Sequence, residues 1–304
     1  MSSVSRPACP ICRGNDIKFV GKPEISKDAA PFVRADYQIA ECESCELYFV
    51  YPEIDLSQKE WGKLYGEGYF GQNPPWWDKK RAEHRRKRLG FLEKHVHGKI
   101  SRFLDIGCGE GYVLADARKK GWEVVGLDIY DNRLEIARAD SISFVTGNIF
   151  QAAFPDNYFD CVYMDSVLEH LIDPVSYLNE INRILREGGV MYIGIPNEDS
   201  LFNDARRLIF TLLGKADISV RTKPFKTPFH VVGFTQRSIR KILAQSDFDI
   251  ARFSIFAGEY EWRKFKILTR GFFVNLTLLP VYLAAIPFRK QIYMDAIARK
   301  RKKI

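Results

Sequence analysis

Asp105-Ile-Gly107-Cys108-Gly109-Glu-Gly111 places three glycines at alternate positions directly behind a carboxylate. Glycine lets the chain turn sharply and brings bare backbone against a ligand, which a Cβ would prevent. The spacing is G-x-G-x-G, not the G-x-G-x-x-G that sets a pyrophosphate on a helix N-terminus. An acid before such a loop suits a ligand with cationic groups and no phosphate. A second acid, Asp128, closes the next apolar run and is placed to accept from ribose hydroxyls. Gly147-Asn148-Ile149 ends the run after that. Its amide suits an adenine edge, with Ile129 and Ile149 sandwiching the ring.

Cys9-Pro-Ile-Cys12 and Cys42-Glu-Ser-Cys45 form a second constellation. Two residues between cysteines let both sulfurs of a tight turn face one ion, and two such turns complete the closed tetrahedron of a structural Zn²⁺. A redox dithiol is the competing chemistry, but such motifs are usually single and open a helix. Alternating stretches at Ile17–Val20 and Phe32–Ile39 would pair as a hairpin carrying the knuckles. Cys108 and Cys161 sit in apolar surroundings that suit buried thiols, and Cys108 also lies inside the glycine loop.

These residues need a scaffold, and the chain from residue 100 alternates strand and helix patterns. Strands are expected at Ile100–Ile106, Glu123–Ile129, Ile142–Thr146, Phe159–Asp165 and Val190–Ile195. Helices are expected at Gly111–Lys120, Asn132–Ala139 and Pro174–Arg186, the last capped by Gly188-Gly189. Such alternation means an α/β fold, a Rossmann-like doubly wound parallel sheet with ligands at the carboxyl ends of its strands. With 304 residues and 46% hydrophobic content the chain can bury one large core and a small appendage. Residues 1–55 read as the zinc ribbon, 56–98 as a helical linker that covers the ligand, and 99–304 as the main domain with a lid insertion at about 258–290.

At this point "FLDIGCGEGYVL", "VVGLDI", "VTGNIF" and "FPDNYFDCVYMDSVLEHLIDP" resemble the successive motifs of class I S-adenosylmethionine-dependent methyltransferases, in the type 11, ubiquinone-biosynthesis-like branch. The resemblance spans Tyr65 to Lys300. It implies a seven-stranded sheet with the last strand antiparallel, and S-adenosyl-L-methionine as cofactor. It carries cofactor roles onto Asp105, Gly107, Gly109, Gly111, Asp128, Asn148 and Asp165. Asn148 stands where an Asp is commoner. With the ribbon, the chain is similar to methyltransferases of sugar, polysaccharide and lipopolysaccharide biosynthesis. Tyr65 and Tyr69 resemble their cofactor-covering aromatic pair, or else pack on the first helix.

Methyl transfer to a hydroxyl or carbon acid invites a general base. His170, just past the fourth strand, and His230, ahead of a helix at Gln236–Gln245, are the candidates. In some relatives the residues matching Asp165, Glu169 and His170 hold a divalent ion; helix-start capping is the alternative. The fourth strand lacks N-P-P-Y and a Pro-Cys nucleophile, which argues against nucleic acid and for a small, sugar- or lipid-linked acceptor. A zinc-ribbon RNA methyltransferase is the second reading, favoured by charge. The formal net charge is +8, concentrated in Lys79–Arg88 and Arg289–Ile304. Phe272–Phe288 is broken by Pro280 and Pro287, so two short lid helices are expected, followed by a final strand at Gln291–Arg299. A basic tail at Arg299–Lys303 would allow peripheral membrane contact. The polar start, Met1 to Cys9, is unlike a secretory leader and predicts the cytoplasm.

Overall fold

The computed structural model describes residues 7–27, 29–57, 60, 75–139, 141–226, 229–257 and 270–302; Tyr65 and Tyr69 lie outside them. Strands β1 (Ile17–Gly21), β2 (Gln38–Cys42) and β3 (Tyr48–Tyr51) precede helix α1 (Pro75–His95). Then come β4 (Arg102–Ile106), α2 (Tyr112–Arg118), β5 (Glu123–Asp128), β6 (Ile142–Thr146), α3 (Ile149–Ala152), β7 (Phe159–Asp165), α4 (Pro174–Ile184) and β8 (Leu185–Pro196). The chain continues through α5 (Leu201–Leu212), β9 (Val232–Gly233), α6 (Gln236–Gln245), β10 (Phe248–Phe256), α7 (Arg270–Ala285) and β11 (Tyr293–Lys300). Two compact units result. One takes residues 72–195, 242–254 and 295–304, the other 1–71, 196–241 and 255–294.

The first unit is built on a seven-stranded sheet in the order β10-β11-β8-β7-β4-β5-β6, mixed because the last strand runs antiparallel. β4 lies between β5 and β7 and pairs parallel with both, so chain order reverses there and its carboxyl end opens onto the crevice of a doubly wound fold. Except at their ends β4 and β7 are buried along their length, as apolar strands covered on both faces must be. Leu89 and Leu92 from α1 pack with Phe103, Leu114, Trp122, Tyr163 and Tyr192 in the core.

Helix α4 starts at Pro174, with Asp173 accepting from the Ser176 N–H at 3.1 Å, and buries Tyr177, Leu178, Ile181 and Ile184. It ends two residues before the expected Arg186, and Gly188-Gly189 does not cap it. Leu185 is already extended, and both glycines belong to β8. Pairing with β7 jumps from Phe159–Leu185 to Cys161–Val190, so residues 186–189 bulge, with Gly188 at φ 69°. The expected helix at Asn132–Ala139 is a three-residue turn, Glu135–Ala137. Asp131 accepts from Arg133 at 2.9 Å and Arg138 at 3.2 Å, local bonds that compete with a helix.

In the second unit β1, β2, β3 and β9 form an antiparallel sheet in that order. β2 starts later than the alternation from Phe32 suggests, since Ala30–Phe32 is a tight turn around Pro31. α7 is one helix with Pro280 inside it, not two. No helix among the described residues is long and apolar enough to cross a membrane.

Several described members of both basic clusters are engaged. Arg85 lies on the Tyr112 ring at 4.7 Å and pairs with Asp116 at 3.3 Å. Arg299 donates to the His95 carbonyl at 2.6 Å, Lys300 to the Leu185 carbonyl at 2.7 Å, and Arg301 pairs with Asp249 at 2.9 Å. The tail through Arg301 is therefore tied into the first unit rather than presented as a free basic arm.

Candidate functional site

The carboxyl end of β4 delivers Asp105 to the crevice. Asp105 is 3% exposed, and its Oδ2 is buried without a hydrogen-bond partner. Burial, and then the charges of Asp128 and Asp165, push its carboxyl well above the usual carboxylate range. The loop that follows folds back on β5: the N–H groups of Gly107 and Cys108 donate to the Leu127 carbonyl at 2.7 and 3.3 Å. Gly107 has φ 68°, and a Cβ there would lie 2.4 Å from Val167 Cγ2, so no larger residue fits. Gly111 precedes α2, so the loop delivers the first N–H groups of that helix to the same crevice. Cys108 is buried beneath the loop; burial pushes its thiol up, and Asp105 and Asp128 add to this.

Asp128, at the end of β5, holds the loop in place. Its Oδ2 accepts from the Gly109 N–H at 2.8 Å and its Oδ1 from the Tyr130 N–H at 3.4 Å. Burial raises its pKa, and those N–H groups oppose the rise.

Asn148 caps α3. Its Oδ1 accepts from the N–H groups of Phe150 and Gln151 at 3.0 and 2.9 Å, while Gln151 Oε1 accepts from the Asn148 N–H at 3.0 Å. Its carbonyl oxygen is thus engaged inside the protein. The expected Ile129–Ile149 sandwich needs correcting. Ile129 is 51% exposed, but Ile149 is fully buried; the next residue, Phe150, is 52% exposed and meets Tyr177 edge-on at 5.8 Å. The helix-cap geometry turns residue 149 inward and residue 150 out.

Asp165 closes β7 over Gly194 of β8, where a Cβ would sit 2.2 Å from Asp165 Oδ1. Its Oδ2 accepts from Arg88 and, at 3.3 Å, from the Tyr163 hydroxyl. Arg88 is 8% exposed, lies 5.5 Å from the Tyr192 ring centre and reaches the Tyr163 hydroxyl at 3.4 Å. Sequence reasoning missed Arg88. It stands in a run of basic residues that reads as a solvated face, and only its place just before the core residues Leu89 and Leu92 hints that it turns inward.

His170 ends a tight turn, Leu168–His170, in the same unit; it is half-buried, while its neighbour Glu169 is 1% exposed. The carboxylate of Asp165 is engaged with Arg88. His230 belongs to the other unit, where its backbone bridges Lys223. Also in that unit, the sulfurs of Cys9, Cys12, Cys42 and Cys45 all lie within 4.8 Å of one another, with Cys9–Cys45 and Cys12–Cys42 both at 3.5 Å. Hydrogen bonding to Cys45 pulls the Cys9 thiol down to about 5, and burial pushes Cys42 up to about 11.

Residues 104–193 match the family model described as "Methyltransferase domain". The ubiquinone biosynthesis O-methyltransferase of Nitrosospira multiformis is 26% identical over 41% of this chain and 57% of its own length. The sterol 24-C-methyltransferase erg6 of Aspergillus fumigatus is 33% identical over 45% of this chain and 37% of its own. A SAM-dependent methyltransferase from Archaeoglobus fulgidus superposes with a TM-score of 0.52 over 78% of this chain and 98% of that one, at 19% identity, a likeness of fold. The chain spans between 32% and 57% of the length of the first curated relatives it matches. With a glycine loop at the switch point and acids closing β4, β5 and β7, residues 104–193 belong to the methyltransferase domain family.

Proposed function

We propose that this chain is an S-adenosyl-L-methionine-dependent methyltransferase that methylates oxygen or carbon of a small or carrier-linked acceptor, such as a sugar or quinone-type precursor. The observation that carries the reading is Asp105, a buried carboxylate whose Oδ2 has no partner, beside a loop that only glycine can form. A buried carboxyl left in this state gains most from ionising beside a cationic ligand. S-Adenosylmethionine supplies a methyl group on a cationic sulfonium, open to in-line displacement. Asp105 favours the cationic end, while Asp128, oriented by the Gly109 N–H, accepts from ribose hydroxyls. Asn148 has its carbonyl in the helix cap and offers its Nδ2 donor to an adenine edge, with Ile129 and Phe150 as apolar flanks. The O- and C-methyltransferases among the relatives favour those acceptor atoms. His170 and His230 are the candidates to take the acceptor's proton.

The four cysteines hold, in the same proposal, one structural zinc ion. A tetrahedron with Zn–S of about 2.3 Å sets sulfurs about 3.8 Å apart, close to the 3.5 Å observed for two pairs. All four positions are filled by protein, so this ion would organise the ribbon and take no part in catalysis.

The test is calorimetry with S-adenosylmethionine, followed by labelled-methyl transfer over sugar nucleotides, quinone precursors and RNA. Tight binding and labelling of a sugar or quinone acceptor are expected. Labelling of RNA alone would overturn the acceptor class, and absence of binding the whole reading.

A further inference from the structure

Six large apolar side chains, each more than half exposed, fall in two short stretches: Leu208, Leu212 and Leu213 at 60, 77 and 65%, and Leu283, Ile286 and Phe288 at 57, 57 and 71%. Apolar residues scattered singly over a surface need no explanation, whereas a cluster of this kind marks a contact site. Both stretches belong to one unit, and the elements carrying them are packed together. Phe202 of α5 stacks on Tyr282 of α7 at 6.1 Å and 13°, and the Leu201 N–H donates to the Lys290 carbonyl at 2.9 Å. Helix α5 buries none of its residues, though its apolar side is well defined. Arg206 of α5 pairs with Glu24 and lies 5.0 Å from the ring centre of Phe210, one turn on in the same helix. Leu208 and Leu212, one helical turn apart, point the other way.

We infer that this face docks on an anionic lipid bilayer. Arg207 and Lys215, beside the leucines in sequence, and Arg289, next to Phe288, are exposed. The acids on the same elements, Asp199 and Asp204, are already paired, at 2.9 Å with Lys290 and with Arg221. That leaves Asp217 as the exposed acid beside Lys215. An apolar face rimmed by free cations suits the boundary between acyl chains and anionic headgroups. A second copy of the chain fits less well. A two-fold contact would bring the same set of free cations, Arg207, Lys215 and Arg289, from both copies to one interface. No helix among the described residues is long and apolar enough to cross, so the chain would lie on the bilayer. The surface stands independently of the methyl-transfer reading.

Vesicle flotation of the full chain tests this, using phosphatidylcholine alone and phosphatidylcholine mixed with phosphatidylglycerol. The chain should float with the mixed vesicles, less with neutral ones, and less again as salt screens the cations. Leu212→Glu with Leu213→Glu should lower the vesicle partition coefficient by about tenfold or more, the scale of burying one such side chain. Phe288→Glu should act in the same direction, and Arg207→Glu with Lys215→Glu should remove the preference for anionic lipid. These positions are exposed, so circular dichroism melts should match the parent; should the leucine pair misfold, the Phe288 variant alone decides. No flotation, or variants that float like the parent, overturns the inference. So does a parent that sediments as a dimer, fails to float and becomes a monomer on Leu212→Glu, since the face would then belong to a second copy.

Discussion

Replacing Asp105 by Asn should stabilise the ligand-free protein and at the same time weaken its binding of S-adenosylmethionine. Asp105 is 3% exposed, with Oδ2 unpartnered. Its pKa is raised, first by burial and then by Asp128 and Asp165. A carboxyl group raised in the folded state holds a proton that the unfolded chain releases. Stability is therefore greatest below the ordinary carboxylate range, and it falls as pH rises from there through the raised pKa. Asn, neutral and nearly the same shape, removes that loss. Asn leaves a buried polar atom in the same place, so only the extra cost of the charge is removed, and a gain of about 2 kcal/mol is expected at pH 7. At about 2 °C per kcal/mol, fitting for a large domain, the melting temperature should rise by about 4 °C. Losing a hydrogen bond to a charged group, about 1.5–3 kcal/mol, should weaken binding by about 10- to 100-fold. Melting curves between pH 4 and 8 without ligand, with calorimetry alongside, measure both. The gain should shrink toward pH 4, where the parent carboxyl is protonated. An Asn variant less stable than the parent at pH 7, or a gain that ignores pH, would show that Asp105 is satisfied within the fold and not held for a ligand.

Asp128→Ala removes the acceptor for the Gly109 N–H as well as the proposed ribose contact. Calorimetry should show affinity lower by about 100-fold, the sum of two bonds near 1.5 kcal/mol each. Gly107→Ala puts a Cβ 2.4 Å from Val167 Cγ2 at φ 68°, so binding should be lost while far-UV circular dichroism keeps its sheet and helix signal. Cutting the Arg88–Asp165 pair with Arg88→Leu should destabilise by about 3 kcal/mol in urea unfolding, the low end for a buried pair because Asp165 is 23% exposed. Asp165→Asn added to it should recover part of that loss. Metal analysis should find about one zinc per chain, and Cys12→Ser should reduce it, since a closed four-ligand site tolerates no vacancy.

The sheet and the glycine loop were legible because they depend on local pattern. Apolar runs at the positions of β4, β5 and β7 must be buried on both faces, and G-x-G-x-G needs no partner to be recognised. What was not legible depends on distant partners. Gly188-Gly189 has the composition of a helix cap, but strand pairing with β7 claims it. Asn148 has the chemistry of an adenine contact, and its carbonyl is taken by the N–H groups of its own helix. Ile149 and Phe150 are both apolar, and only the direction of α3 decides which one faces out. β3 is a four-residue run whose partners, β2 and β9, lie on either side of residues 72–195 in sequence.

Arg88 is the clearest case of chemistry that local pattern hides, and it bears on how the site is balanced. Four carboxylates of the first unit, Asp105, Asp128, Asp165 and Asp295, influence one another at the ends of its strands, and each of the four must be compensated in a low-dielectric setting. Asp165 has Arg88 from α1. Asp295 has Arg252 at 3.3 Å, itself laid against the Phe91 ring at 3.8 Å. Asp128 has the N–H groups of Gly109 and Tyr130. Among the described residues Asp105 meets burial and two like charges, all unfavourable to ionisation. A fold that supplies partners to three of four neighbouring acids, from helix, strand and loop alike, leaves the fourth as the place where a cation from outside completes the balance. On that reasoning Arg88→Leu should also tighten the demand at Asp105, by freeing the Asp165 charge. The loss of stability, which starts in the ordinary carboxylate range in either chain, should then continue to higher pH in the Arg88→Leu chain than in the parent. Identical pH profiles for the Arg88→Leu chain and the parent would mean that the two acids are not coupled.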